Sequence, residues 1–183
     1  SEILKKSYIR NIIIQGNNLT EEKVLLNNID FAEGDLFTNL KISNAIDNLK
    51  DTGYFKNIRV KKNEIKNSDN VDIQIDINES PTGEISAGIG AGTNESSISF
   101  NFAEKNLLGQ GIGFNLGASL GTGSQSVNFN FTNPDFASSG NSLSSGFFIS
   151  KYDNKTSGYE NKLIGLNAST GFEWYEDVNL NYG

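Results

Sequence analysis

Few residues of this chain could do chemistry, because its 183 residues include no Cys and no His. Without thiols there is no disulfide and no thiolate metal site. Without imidazole, the usual general base and the commonest metal ligand are missing. Catalysis would have to rest on carboxylates, Lys or Tyr, and no serine–base pair or carboxylate pair stands out. We therefore expect a protein that is not an enzyme, with no catalytic residue, no metal and no cofactor.

Two patterns resemble ligand sites, but strands explain them better. Asp69, Asp72 and Asp76 could suggest Ca²⁺, yet Asp72 and Asp76 fall on the polar face of an alternating strand, where carboxylates are usually solvated. Alternate glycines from Gly88 to Gly92 are not followed by the helix that a phosphate loop needs. The formal net charge of −7 also disfavours nucleic acid, because phosphate binding needs a basic surface.

A change of composition near Pro81 and Gly83 divides the chain. Lys, Asp, Asn and Ile are frequent before this point, whereas Gly, Ser, Asn and Phe dominate after it. Pro and Gly are turn formers, so a domain boundary here is the natural interpretation. The sequence predicts one domain over residues 1–80 and another over residues 81–183.

The first half predicts the element order β-α-α-β-β. Its strands are runs of β-branched and apolar residues, and turn residues such as Gly16 and Gly53 follow two of its elements. Thr20 is placed to cap a short helix, and Thr38 or Asn39 to cap a second one. Two helices on one side of a three-stranded sheet form a two-layer α+β module. The predicted strands are 8–15, 55–62 and 71–77.

The second half repeats a different pattern, in which apolar side chains alternate with small polar ones. Residues 111–120 are a regular example, with Ile, Phe, Leu and Ala at alternate positions. This alternation indicates strands with one apolar and one polar face. The short connections between them predict an up-and-down antiparallel sheet of about six strands and a partial seventh.

A soluble sandwich or lipocalin-like barrel would alternate in the same way, so the composition of each face decides. A soluble barrel packs large apolar groups inside and carries charges outside. Here the polar face consists of Gly, Ser, Asn and Thr, and the charges lie at strand ends and turns. Small neutral groups suit a wet lumen and the apolar face suits lipid, so we expect an incomplete transmembrane β-barrel. Aromatic residues near strand ends would form interfacial girdles: Tyr152, Tyr159, Phe172, Trp174 and Tyr175.

Short motifs connect both halves to a known family. Ile-Gln-Gly-Asn (14–17) closes the first strand and Gly-Tyr-Phe (53–55) leads into the second. Asn-Leu-Leu-Gly-Gln-Gly (106–111) and Thr-Asn-Pro-Asp-Phe (132–136) lie at successive turns on one end of the sheet. In this order and spacing the chain resembles the Omp85 superfamily over almost its whole length. The first half is then similar to a POTRA domain, the last one before the barrel.

The resemblance implies the assembly and insertion of β-barrel proteins into the outer membrane of Gram-negative bacteria, with the POTRA-like half in the periplasm. Its expected partners are unfolded outer-membrane protein clients, accessory outer-membrane lipoproteins and the lipid bilayer. Because an open sheet edge is unstable in lipid, we expect the chain to be a piece of a longer protein. An even total of about sixteen strands is expected for the whole barrel, as in the family.

The resemblance also implies that the first barrel strand meets the last at a weak seam and templates client strands by β-augmentation. Interior glycines weaken a strand, which offers a physical reason for such a seam. Alternatively, these glycines relieve crowding in the lumen, as Gly113 and Gly117 would. The predicted client-pairing residues are Ile85, Ser86, Ala87, Gly88, Ile89, Gly90, Ala91 and Gly92.

Two further surfaces are implied in the POTRA-like half. An exposed edge strand could accept extended peptides or neighbouring POTRA units, although its Lys and Arg residues could equally form a solvated edge that resists aggregation. Glu33 and Gly34 match a loop through which the family's last POTRA domain binds a lipoprotein. The predicted edge residues are Phe55, Lys56, Asn57, Ile58, Arg59 and Val60.

Two alternative functions remain open at this point. A protein translocation channel of the two-partner secretion type shares both the POTRA-like half and the barrel. An outer-membrane enzyme such as a phospholipase would need a His, or an equivalent base, in strands beyond this chain.

Overall fold

The computed structural model describes residues 6–92, 96–154, 158–175 and 178–183. The chain divides into two compact units. The first extends to Thr82 and also includes Leu108–Gln110, and the second comprises Gly83–Leu107 and Gly111–Gly183. Neither helix in the described ranges combines the length and the apolar character needed to cross a membrane.

The first unit has the predicted order β-α-α-β-β. Its three strands form one sheet in the order β1-β3-β2, with β1 parallel and β2 antiparallel to the central β3. Both helices lie between β1 and β2 in the sequence. The elements are β1 (Tyr8–Gln15), α1 (Glu22–Leu26), α2 (Asn39–Asp51), β2 (Phe55–Glu64) and β3 (Asn70–Glu79).

The core of the first unit is built on strand β3. Its alternate residues Val71, Ile73, Ile75 and Ile77 are all buried, and Ile73 and Ile75 are 0% exposed. They belong to one cluster with Leu25 of α1 and with residues of α2. Burial of an Ile side chain contributes about 2–3 kcal/mol. The predicted division of β3 into one buried and one polar face is therefore confirmed, and this face holds the module together.

Of the two predicted helix caps, one is confirmed and one is wrong. Thr38 caps α2, since its hydroxyl accepts a hydrogen bond from Lys41 N–H at 3.2 Å. The prediction that Thr20 caps α1 is wrong, because the N-cap is Glu21 and its side chain makes no capping hydrogen bond. Thr20 is only 3% exposed, and its backbone N–H donates to the Glu79 carboxylate at 2.6 Å. Thr20 is therefore bound by a carboxylate at the end of β3 and does not cap α1.

The second unit is an antiparallel meander in which each strand pairs with the next along the chain. The sheet order is β4 to β10 without a crossover. Within the described residues β4 pairs only with β5 and β10 only with β9, so the sheet is open. A short 3₁₀ turn, Phe136–Ser138, follows β7. The strands are β4 (Gly83–Ala91), β5 (Ser96–Leu107), β6 (Ile112–Gly121), β7 (Ser124–Asn133), β8 (Ser142–Asn154), β9 (Tyr159–Tyr175) and β10 (Val178–Tyr182).

The pairing register separates two faces of this sheet. One cross-strand row is entirely apolar: Ile85, Phe102, Leu116, Phe129, Phe147 and Leu166. The adjacent row consists of Ser86, Asn101, Gly117, Asn128, Phe148 and Gly165. Within this second row Phe148 is an exception, and its ring lies where a side chain on Gly165 would have to stand. The consecutive residues Phe147 and Phe148 therefore lie on opposite faces of the sheet.

Candidate functional site

The predicted client-pairing segment forms an edge of the second sheet. Residues 85–91 lie in β4, and Gly92 follows its end. Ile85 and Ile89 are 69% and 84% exposed, and β5 is the only described strand that pairs with β4. An edge strand presents a row of backbone donors and acceptors that a further strand can use. β-Augmentation requires only such a backbone edge and no reactive side chain, and client pairing at β4 stays a prediction.

The glycines of β4 have close neighbours on the polar face. A Cβ atom at Gly88 would lie 2.9 Å from Ser99 Oγ, and one at Gly90 would lie 2.7 Å from Ser97 Oγ. Gly117 shows the same crowding, with Asn128 Oδ1 at 2.5 Å from such an atom. These contacts favour the interpretation that glycine leaves room for side chains of the next strand.

Not every glycine of the polar face is crowded. At Gly113 the nearest atom to an added Cβ is the Glu104 carbonyl oxygen at 3.6 Å, an ordinary contact. Gly113 therefore does not share the role predicted for it with Gly117. At Gly146 an added Cβ atom would lie 2.7 Å from the Phe129 carbonyl oxygen, a backbone atom that cannot rotate away as a side chain can.

A chain of side-chain hydrogen bonds connects the strands that follow β4. Asn115 Nδ2 donates to Asn101 Oδ1 at 2.9 Å, and Asn128 Nδ2 donates to Asn115 Oδ1 at 3.3 Å. These bonds tie β5, β6 and β7 together on the polar face. At the level of Asn101, strand β4 offers only Ser86. Between β4 and β5, Ser99 Oγ donates to the Gly88 carbonyl at 3.5 Å, and on the other face Ile85 is paired with Phe102 and Ile89 with Ile98.

The predicted peptide edge in the first unit is strand β2, which is an edge of its sheet. Phe55 is buried, and Ile58 and Val60 pack against the core. Lys56, Asn57 and Arg59 are exposed, and a register shift falls at Lys56.

Charged groups at the end of β2 already have partners. Lys61 Nζ lies 2.7 Å from Asp76 Oδ2, and Lys62 Nζ lies 3.0 Å from Glu64 Oε1 and over the Phe37 ring. The hydrogen bond from Lys61 lowers the pKa of Asp76, helped by one from Gln74. This arrangement suits a solvated, protected edge, and peptide binding at β2 stays a prediction.

Glu33 and Gly34 form hydrogen bonds with the backbone of β1. Glu33 Oε1 accepts a hydrogen bond from Ile12 N–H at 3.0 Å, and Gly34 N–H donates to the Ile9 carbonyl at 2.7 Å. Gly34 has a φ of +97°, which glycine adopts without strain. Both residues therefore have a structural role inside the first unit, and lipoprotein binding at this loop stays a prediction.

The acidic residues that could suggest Ca²⁺ are not brought together. Asp72 forms a bidentate ion pair with Arg10, at 2.9 and 2.7 Å, and this hydrogen bonding lowers the pKa of the Asp72 carboxyl. In the ranges that the structure describes, no group of three or more Asp and Glu side chains converges on a common point.

Three of the five aromatic side chains predicted to form a girdle are among those that the structure describes. Tyr152 and Tyr159 are exposed, and their ring centroids are 6.3 Å apart at adjoining ends of β8 and β9. Phe172 is also exposed. The side chains of Trp174 and Tyr175 lie outside the described residues.

Sequence reasoning missed one group, the Glu79 carboxylate, which binds the backbone of residues 18–20. The sequence offered a weak signal. A Glu ends the alternating strand two residues before Pro81, but nothing in a linear pattern says which amides it will meet.

Two family models match the chain in the order of its two units. The POTRA model, described as a surface antigen variable number repeat, matches residues 7–80. The Omp85 superfamily domain matches residues 106–183. The chain therefore carries a POTRA domain followed by an Omp85 superfamily domain.

Within the superfamily, the chain is similar to BamA proteins. The outer membrane protein assembly factor BamA of Buchnera aphidicola is 26% identical over 191 residues, which cover 100% of this chain and 31% of the relative. BamA of Nitratidesulfovibrio vulgaris is 30% identical over 108 residues, covering 58% of this chain and 14% of the relative. The chain thus spans about a third or less of these relatives.

Solved structures give the same picture. The crystal structure of BamA from Haemophilus ducreyi lacking POTRA domains 1-3 matches with a TM-score of 0.76 and 31% identity, over 91% of this chain and 32% of that one. CdiB from Acinetobacter baumannii matches with a TM-score of 0.62 but 10% identity, over 94% of this chain and 35% of that one. The second likeness shows a shared fold alone.

Proposed function

We propose that strands β4–β10 form part of a transmembrane barrel in the bacterial outer membrane, closed by strands of the longer protein, with the POTRA domain in the periplasm. One observation carries this proposal. Among the described residues, every buried large apolar side chain belongs to the first unit, while the apolar face of the second unit is exposed. An apolar face of this size needs a cover, and lipid hydrocarbon covers alternating strands of this composition.

The function that this arrangement supports is the assembly and insertion of β-barrel proteins, with β4 pairing with client strands. The support is the composition of β4, whose polar face presents Ser86, Gly88 and Gly90 to β5, so that few side-chain hydrogen bonds can hold the strand there. The names of the BamA relatives refer to outer membrane protein assembly. Unfolded outer-membrane proteins are the proposed clients and accessory lipoproteins the proposed helpers. No step of this function needs a catalytic residue.

Cysteine crosslinking tests the pairing directly in the whole protein, with any Cys outside these 183 residues replaced, since these residues contain none. Single Cys residues replace Ser86, Ala87, Gly88 and Ile89, and a stalled client carries one Cys in its last strand. We expect disulfides with β4, and a shift of the client Cys by one residue should shift the crosslinked β4 position by one. A fixed pattern of this kind arises only from strand pairing.

The matched control positions are Asn115 and Asn128 on the polar face of β6 and β7. Adducts there, with none along β4, would contradict templating. They would favour the alternative, a translocation channel of the two-partner secretion type, because a substrate passing through a lumen meets the lumen wall. The CdiB likeness does not decide between these functions, since it concerns the fold.

A further inference from the structure

The Glu79 carboxylate organises a loop in the first unit. Its two oxygens accept hydrogen bonds from three consecutive backbone amides: Asn18 N–H at 3.0 Å, Leu19 N–H at 2.9 Å and Thr20 N–H at 2.6 Å. A carboxylate that receives several backbone donors fixes their directions more strongly than a neutral acceptor does. The loop conformation between β1 and α1 therefore depends on this side chain.

The rest of the loop, residues 16–21, is also tightly determined. Gly16 has a φ of +95°, and a side chain there would collide with the Ile77 carbonyl group. Asn17 Nδ2 donates to the Thr20 carbonyl at 3.2 Å. Thr20 is buried. We call residues 16–21 the receptor loop.

The segment Leu108–Gln110 follows β5 in the sequence but belongs to the first unit. Its shape is fixed at both ends by Asn106, whose N–H donates to Glu104 Oε1 at 2.8 Å and whose Oδ1 accepts from Gly111 N–H at 2.7 Å. Leu108 and Gly109 have φ values of +55° and +76°. The left-handed conformation at Gly109 is one that glycine adopts without strain.

The receptor loop and this segment meet backbone to backbone. Glu21 N–H donates to the Gly109 carbonyl at 2.8 Å. A Cβ atom on Gly109 would collide with the Leu19 carbonyl group and would lie 3.1 Å from Thr20 Cα. Only glycine therefore permits this approach, and the atoms it approaches belong to the residues that Glu79 holds.

We propose that the receptor loop is a binding surface for the glycine turn Leu108–Gln110, and that Glu79 is the positioning residue that shapes it. The POTRA domain is then completed by a segment that lies outside its own sequence range of 7–80. The role of Asn106-Leu107-Leu108-Gly109-Gln110-Gly111 is to make a turn that this surface accepts. This inference is independent of whether β4 pairs with client strands.

The first test compares two glycine substitutions in the whole protein in detergent micelles. Gly109→Ala is matched by Gly140→Ala, because Gly140 has nearly the same φ, +73°, and nothing within 4 Å of an added Cβ. Hydrogen exchange is followed at the Glu21 amide. We expect Gly109→Ala to speed this exchange by about fivefold to tenfold, as loss of one hydrogen bond predicts, while Gly140→Ala leaves it unchanged. Equal exchange in both variants overturns the proposal.

The second test uses Glu79→Gln, which keeps the size of the side chain and removes its charge. We expect faster exchange at the Asn18, Leu19 and Thr20 amides and also at the Glu21 amide. Faster exchange at 18–20 with Glu21 still protected would show that Glu79 stabilises the loop without shaping the binding surface, and would overturn its assigned role. Slow exchange at Ile73 and Ile75 in the core confirms that each variant is folded, so that global unfolding is excluded as the cause.

Discussion

At the scale of single residues, the carboxylates of the POTRA domain differ in what neutralises them. Asp72 and Asp76 are paired with Arg10 and Lys61 on the exposed face of the sheet. Glu79 is instead surrounded by backbone donors. Partial burial raises the pKa of Glu79, but hydrogen bonds from Thr20, Leu19 and Asn18 outweigh that effect, so the pKa is lowered overall. Such a group stabilises the fold in its charged form.

This lowered pKa has a consequence for acid stability. A carboxyl whose folded pKa lies below its unfolded value adds stability above the unfolded value, about 4.3 for Glu, and loses it as the pH falls through the folded pKa. We expect Glu79→Gln to lower the POTRA unfolding free energy by about 2 kcal/mol at pH 7, a typical amount for hydrogen bonds to a charged group. The difference from the native protein should shrink below about pH 4.

Urea unfolding followed by hydrogen exchange of the β3 amides, at pH 7 and at pH 3, measures this effect in the whole protein. Asp72 and Asp76 also have lowered pKa values, so the variant should retain part of the native acid dependence. An equal loss of stability at both pH values would contradict a role for the ionised carboxylate.

The hydrogen bonds of single residues could be predicted from the sequence only when both partners lie close together along the chain. Thr38 was predictable as a cap because its partner, Lys41 N–H, lies three residues away. Thr20 was not, because its partner Glu79 is 59 residues away in the sequence. Local hydrogen bonds follow from spacing, whereas those between distant segments require the register of the whole fold.

At the scale of elements, alternation predicted most strands correctly, because a period of two is all that a strand with two different faces requires. The ends of the strands were predicted less accurately. Strand β2 continues to Glu64 and β3 to Glu79, since pairing with a neighbour extends a strand through polar residues that carry no apolar signal. Phe148 shows the other limit, since an aromatic ring on the polar face depends on the empty space above Gly165 across the strand pair.

The glycines of β4 allow the two explanations for them to be separated by a double-mutant cycle. If Gly90 leaves room for Ser97 Oγ, Gly90→Ala destabilises the sheet, and Ser97→Ala in the same chain restores the loss because it removes that oxygen. We expect about 1 kcal/mol for the single change and a coupling energy of similar size. If Gly90 only loosens the strand, Gly90→Ala stabilises it, and Ser97→Ala has no influence on that effect.

Thermal loss of β-sheet circular dichroism, measured for the whole protein in detergent, provides the four stabilities of this cycle. Gly113→Ala serves as the matched control, since the nearest atom to its added Cβ is at 3.6 Å. A destabilisation of the control as large as that of Gly90→Ala would show that any side chain at a glycine of this face is harmful, and would remove the argument from Ser97.

At the scale of the whole molecule, the two units differ in whether their apolar side chains are buried or exposed. The POTRA domain buries its Ile and Leu side chains around β3, as a protein in water must. The Omp85 domain leaves its cross-strand rows of Phe, Leu and Ile exposed or half-buried and places most of its Asn, Ser and Gly on the other face. Composition alone predicted this difference, because small neutral groups cannot form a dry core. The total of about sixteen strands is expected only from the family resemblance, because alternation within these residues says nothing about strands outside them.

Adjacent residues on opposite faces allow the membrane placement to be tested within single strands. Phe100 of β5 and Val127 of β7 are both paired with Ala118 of β6, whereas their neighbours Ser99 and Ser126 are both paired with Ser119. Within each strand the two residues are therefore neighbours in the sequence that lie on opposite faces of the sheet. In the whole protein reconstituted in liposomes, single Cys residues at Ser99 and Ser126 should react with a water-soluble maleimide. Those at Phe100 and Val127 should resist it, and a fluorophore attached at these positions before reconstitution should be quenched by brominated lipid chains.

The expected contrast follows from the physical difference between the two solvents. A thiol reacts as its thiolate, and hydrocarbon suppresses the ionisation as well as the access of a charged reagent. A soluble sandwich would also protect Phe100 and Val127, by burying them in a protein core, so maleimide alone does not separate the two folds. Lipid quenching does, because bromine atoms on acyl chains reach only side chains that contact hydrocarbon. Protection without quenching at both apolar positions would place these rows inside protein, and the proposals that depend on a membrane barrel would fall.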